Sequence, residues 1–107
     1  MPLSSLALRE IEYAELRISP MVLLEMKLLK EIGRLDADPA EFQTILRRDF
    51  DVTVCSLPFQ TVIEASYDET WTRDPFDRLI VAQAKLGGGK LITRDRRIRE
   101  HFSGALW

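Results

Sequence analysis

The chain has one cysteine, Cys55, and one histidine, His101, among 107 residues. A disulfide framework is therefore excluded, and so is a structural zinc site, which needs four Cys or His ligands. With a lone histidine near the C-terminus and no Gly-x-Ser-x-Gly elbow, a serine or cysteine triad has no general base in a suitable context. His101 reads as a surface residue and Cys55, inside the apolar run Val52 to Cys55, as a buried thiol. No stretch approaches the roughly 18 consecutive apolar residues of a membrane span, and the first residues lack the basic, apolar and small-residue order of a signal peptide. The expectation is a soluble, cytoplasmic protein without membrane contact.

Net charge is only −2, too small to mark a general nucleic-acid binder. The distribution is uneven. Residues 1–70 carry 7 basic and 13 acidic side chains, whereas residues 71–107 carry 8 basic and 4 acidic ones. With 46% apolar residues, the length suits one domain, residues 1–107, with one core.

Helix and strand signals alternate. Ser5 to Glu15 reads as a helix and Leu16 to Ser19 as a short strand. Ser19-Pro20, Asp38-Pro39 and Asp74-Pro75 each combine an N-cap with a proline at the first helical position, where a missing N–H costs nothing. They predict helices from Pro20 to about Ile32, from Pro39 to about Arg48, and from Pro75 to the Gly87-Gly88-Gly89 run. Between them lie a strand at Val52 to Cys55, a short helix at Leu57 to Ala65 and a polar loop at Ser66 to Arg73. The glycine run leads from helix into strand, the reverse of a phosphate-binding loop, and reads as a C-cap and turn. A strand at Lys90 to Thr93, a helix from Asp95 to Glu100 and an edge strand at Ala105 to Trp107 complete the chain. The alternation predicts an α/β fold with a parallel sheet.

In such a fold the carboxyl ends of strands and the starts of helices share one edge, so Asp77 and Asp95 can converge on one cation. Glu25 joins them as a candidate because Met21, Leu28 and Leu29, its helical neighbours, are apolar. A carboxylate in an apolar stripe needs a cation, hydrogen bonds or a metal. Each acid also has a structural explanation. Glu25 can pack its stem and send its head to water, Asp77 at the third helical position favours the helix dipole, and Asp74 and Asp95 are natural N-caps. Clustered carboxylates suit Mg²⁺ or Mn²⁺, which activate water against a phosphodiester. Arg94, Arg96, Arg97 and Arg99 stand beside Asp95 and can neutralise phosphates. Residue types alone thus point to a metal-dependent nuclease, with an unrelated doubly wound binding domain as the other possibility.

Four stretches carry a resemblance: Ile18-Ser19-Pro20-Met21-Val22-Leu23-Leu24-Glu25, Arg73-Asp74-Pro75-Phe76-Asp77-Arg78-Leu79-Ile80-Val81-Ala82-Gln83-Ala84, Leu91-Ile92-Thr93-Arg94-Asp95, and Ala105-Leu106-Trp107. Together they resemble the PIN-domain ribonucleases, specifically the VapC-like toxins of bacterial toxin-antitoxin pairs. The resemblance implies an Mg²⁺- or Mn²⁺-dependent endoribonuclease in which Glu25, Asp77 and Asp95 match the second, third and fourth acids of the family. It also implies an RNA substrate, a cognate antitoxin, and a homodimer or higher oligomer. Asp74 belongs to the subfamily signature without being a core ligand. Family members open with a hydrophobic strand ending in an aspartate, and this sequence has no counterpart before Ser5. The resemblance therefore implies a PIN-like α/β fold, a three-layer α/β/α sandwich with a parallel sheet, N-terminally truncated so that it lacks the first acid and the central strand. The alternative that follows is a nuclease-dead module that dimerises or binds an antitoxin.

Overall fold

The computed structural model describes residues 4–7, 16–88, 90–92 and 95–106. Two compact units emerge, residues 16–56 and a second built from residues 57–107 with the N-terminal segment 1–15. The elements alternate as an α/β fold does.

In the first unit the order is β1 (Arg17–Ile18), α1 (Pro20–Glu31), α2 (Pro39–Phe50) and β2 (Thr53–Val54). Both helices start where the cap-plus-proline pairs place them. Ser19 Oγ accepts from the Met21 N–H at 3.1 Å, and Asp38 Oδ1 accepts from the Ala40 N–H at 2.8 Å. The carboxylate of Asp38 is held below its ordinary range, chiefly by that backbone N–H. Helix α1 ends as its glycine predicts. Gly33 takes φ +79° while the Arg34 N–H reaches the Leu29 carbonyl at 2.9 Å and the Gly33 N–H reaches that of Lys30 at 3.1 Å, the two bonds of a Schellman close. Helix α2 runs two residues beyond the expected Arg48 and stops at Asp51, which adopts a left-handed φ of 54°.

β1 and β2 pair in parallel, Arg17 opposite Thr53 and Ile18 opposite Val54. Helices α1 and α2 pack together, yet neither contains a buried residue. The apolar stripe of α1, expected to face a core, is instead largely open: Leu24 is 47%, Leu28 41% and Ile32 67% exposed. A ladder of two residues per strand offers too little surface to cover two helices. Cys55 is buried, as its apolar context predicts.

The second unit holds α3 (Phe59–Ser66), α4 (Pro75–Leu86), β3 (Leu91–Ile92), α5 (Arg96–His101) and β4 (Ala105–Leu106). Ser5 to Ala7 are helical, while the remainder of the expected N-terminal helix lies outside the described residues. Helices α3 and α4 pack closely. Helix α4 supplies the core because its apolar positions recur at helical spacing, burying Leu79, Val81 and Ala82. Val81 is fully buried and joins Ile98, Phe102 and Ala105 in a cluster against which Trp71, Ala84 and Leu91 pack. A valine so placed contributes roughly 1.5–3 kcal/mol relative to an exposed one. The glycine run behaves as a C-cap and turn: the Gly87 N–H returns to the Gln83 carbonyl at 3.0 Å, and Gly88 takes φ +115°.

β3 and β4 are parallel, Leu91 opposite Ala105 and Ile92 opposite Leu106. The expected parallel character is therefore present, but as two separate two-stranded ladders among the described residues. Thr93 and Trp107, placed in strands by the sequence, lie outside those residues.

Candidate functional site

Asp74 caps α4 through Oδ1, which accepts from the Phe76 N–H at 2.8 Å. That sets Pro75 as the first helical residue and Asp77 as the third. Asp95 follows β3 after a short connection and caps α5, its Oδ1 accepting from the Arg97 N–H at 2.8 Å and the Ile98 N–H at 3.2 Å. Both caps were legible from the sequence.

Asp77 is half-buried. Its carboxyl is held above the ordinary carboxylate value of 3.8, first by burial and then by the negative charges of Asp74 and Asp95, with Arg97 pulling the other way. Burial removes water that would solvate the anion, and two like charges add to the cost. The negative charges of Asp74 and Asp95 thus both act on Asp77. Glu25 stands on α1 in the unit of residues 16–56, half-buried and engaged in an interaction. Among the described residues no three His, Cys, Asp or Glu side chains form a group able to hold one metal ion. The acids whose charges act on Asp77 offer carboxylate oxygens, the hard donors that Mg²⁺ and Mn²⁺ prefer.

The basic residues divide. Arg97 is engaged, its Nη2 donating to the Trp71 carbonyl at 2.6 Å and its Cζ lying 5.7 Å from the Trp71 ring centroid. Arg96 and Arg99 are exposed on α5, Arg99 with an interaction of its own. Arg94 lies outside the described residues.

Beside these acids is an arrangement the sequence reading missed. The loop before α4, expected only to be polar, holds Trp71, and His101 at the end of α5 stacks on it with centroids 4.9 Å apart and planes 9° from parallel. His101 is exposed, as expected, but it is not isolated. The Trp71 Nε1–H donates at 2.7 Å to Glu69, whose side chain is 4% exposed, and Lys85 Nζ donates to the other Glu69 oxygen at 2.5 Å. Lys85 also lies 5.4 Å from the Phe102 ring centroid. Arg78 Nε donates to the Thr72 carbonyl at 2.7 Å, and the Thr72 hydroxyl accepts from the Asp74 N–H at 3.1 Å. The loop that precedes Asp74 is thereby fixed at both ends. The available signal was a tryptophan in an otherwise polar segment, since a large aromatic there needs something to pack on.

The PIN domain family model matches residues 2–101. No curated protein and no solved structure gives a match.

Proposed function

The chain belongs to the PIN-domain family, whose fold is of nuclease type, and from that premise we propose that it is an Mg²⁺- or Mn²⁺-dependent endoribonuclease, the toxin of a type II toxin-antitoxin pair. One observation carries the reading: Asp77 is half-buried at the start of α4 with the charges of Asp74 and Asp95 directed at it. Asp74 and Asp95 serve as helix caps, yet their charges still oppose ionisation of the half-buried Asp77, and a bound cation would offset that cost. A divalent ion bound there supplies the positive charge that lets water attack a phosphodiester. Asp77 and Asp95 are the ligands assigned in this unit. Glu25 is assigned as a ligand from its match to the family motif, and Arg94, Arg96, Arg97 and Arg99 as the groups that engage the RNA backbone. No helix among the described residues is long and apolar enough to cross a membrane.

The test is cleavage of a fluorescently labelled RNA with Mn²⁺ present or chelated. Wild type is expected to cleave only with the metal, and Asp77→Asn and Glu25→Gln are expected not to cleave while keeping their secondary structure. Undiminished cleavage by Asp77→Asn would remove the assigned role.

A second reading is a nuclease-dead module that works by binding a second copy or an antitoxin. The exposed Leu24 and Leu28 on α1, with Ile32 at its C-cap, favour it, since burying such side chains against a partner is favourable. Absence of metal-dependent cleavage from a folded chain that binds a partner would select it.

A further inference from the structure

Trp71 and His101 are 30 positions apart in sequence, yet their rings are face to face in the second unit. The indole is held on several sides. It packs against the cluster of Val81, Ile98, Phe102 and Ala105, and its N–H is taken by the buried Glu69, while Arg97 donates to the Trp71 backbone carbonyl. The imidazole stacked on it is exposed. An aromatic ring supported from behind and open in front offers a preorganised π-face, because the cost of ordering it has been met in folding. Nothing in the fold requires that face to be presented: His101 is the last residue of α5, and the core closes with Phe102 after it.

We infer that the exposed His101 ring, backed by Trp71, whose own ring lies 5.7 Å from the Arg97 guanidinium, is a stacking platform for an unpaired nucleobase of the RNA substrate. The choice of ligand rests on the nuclease reading, whereas the platform rests on the ring geometry. Unpaired bases stack on His and Trp side chains whatever their identity, and a duplex keeps its bases stacked on one another. Arg97 ties the platform to the acids, since its charge also acts on Asp77. The platform selects single strands over duplexes without selecting sequence.

The experiment measures binding of a labelled single-stranded RNA to the full chain in chelator, so that cleavage plays no part. His101→Ala is expected to weaken binding about tenfold, the lower part of the range for one stacked base. His101→Phe, which keeps a π-face and discards the imidazole nitrogens, is expected to stay within about twofold of wild type. Among RNAs carrying a single abasic position, one is expected to bind wild type and His101→Ala equally, because the lost base and the lost ring are partners in one contact. Unchanged binding by His101→Ala overturns the platform. So does His101→Phe binding as weakly as His101→Ala, a duplex that loses as much as the single strand, or a wild-type chain that binds no single strand. Binding that depends on the ring at position 101 in a chain that never cleaves leaves the platform standing and removes the nuclease reading.

Discussion

Replacing Asp95 separates its two roles. As the N-cap of a six-residue helix it satisfies two backbone N–H groups, at 2.8 and 3.2 Å. Loss of a capping side chain costs about 0.5–2 kcal/mol, and two bonds on so short a helix place Asp95→Ala in the upper part of that range, about 1.5–2 kcal/mol. For a chain of this length, with an unfolding entropy of about 2.1 cal/mol/K per residue, the melting temperature should fall by about 7–9 °C. Asn caps as well as Asp, so Asp95→Asn should remain within about 0.5 kcal/mol of wild type, losing only a charge near the helix dipole and relieving repulsion on Asp77. Cleavage should vanish in both, because each lacks the anionic oxygens that a cation needs. Thermal melts followed by circular dichroism, run beside the Mn²⁺-dependent cleavage assay, read the two roles independently. Asn destabilising as much as Ala would refute the cap argument, and cleavage surviving in Asp95→Asn would refute the ligand assignment.

Asp77, whose carboxyl is raised in the fold, contributes stability only where it is protonated; that contribution is full below the ordinary value of 3.8 and lost as pH rises through the raised one. Asp77→Asn, which resembles the protonated form, should therefore match wild type near pH 3 and be the more stable protein near pH 7, as judged by melts at both pH values. Lys85→Met should destabilise by about 2–3 kcal/mol, somewhat less than for a fully buried pair, because Glu69 stays buried without its cation while Lys85 itself is half-exposed; urea denaturation measures it, and a change under about 0.5 kcal/mol would show that the pair adds nothing. If the chain self-associates through α1, Leu24→Glu combined with Leu28→Glu should reduce the mass seen by sedimentation to that of one chain, and an unaltered mass would place the interface elsewhere.

The starts and stops of the helices belonged to the sequence. A Ser or Asp two residues from the N–H it caps, a proline that presets its own φ, and a glycine free to take positive φ act over a few bonds, so Ser19, Asp38, Asp74, Asp95 and Gly33 all do in the structure what their neighbours imply. The buried face of α4 followed from local spacing for the same reason, and the parallel sense of the strands from the helices between them. Contacts between distant positions were not written locally. That Asp74 and Asp95 both act on Asp77, that Glu69 is a buried acceptor joining Trp71 to Lys85, and that His101 stacks on Trp71 depend on tertiary packing between segments remote in the chain. The apolar stripe of α1 makes the same point in reverse, since its periodicity predicts burial while only the three-dimensional arrangement decides that Leu24, Leu28 and Ile32 are left open. Periodicity specifies which face of a helix is apolar; what covers that face is settled by residues remote in the chain.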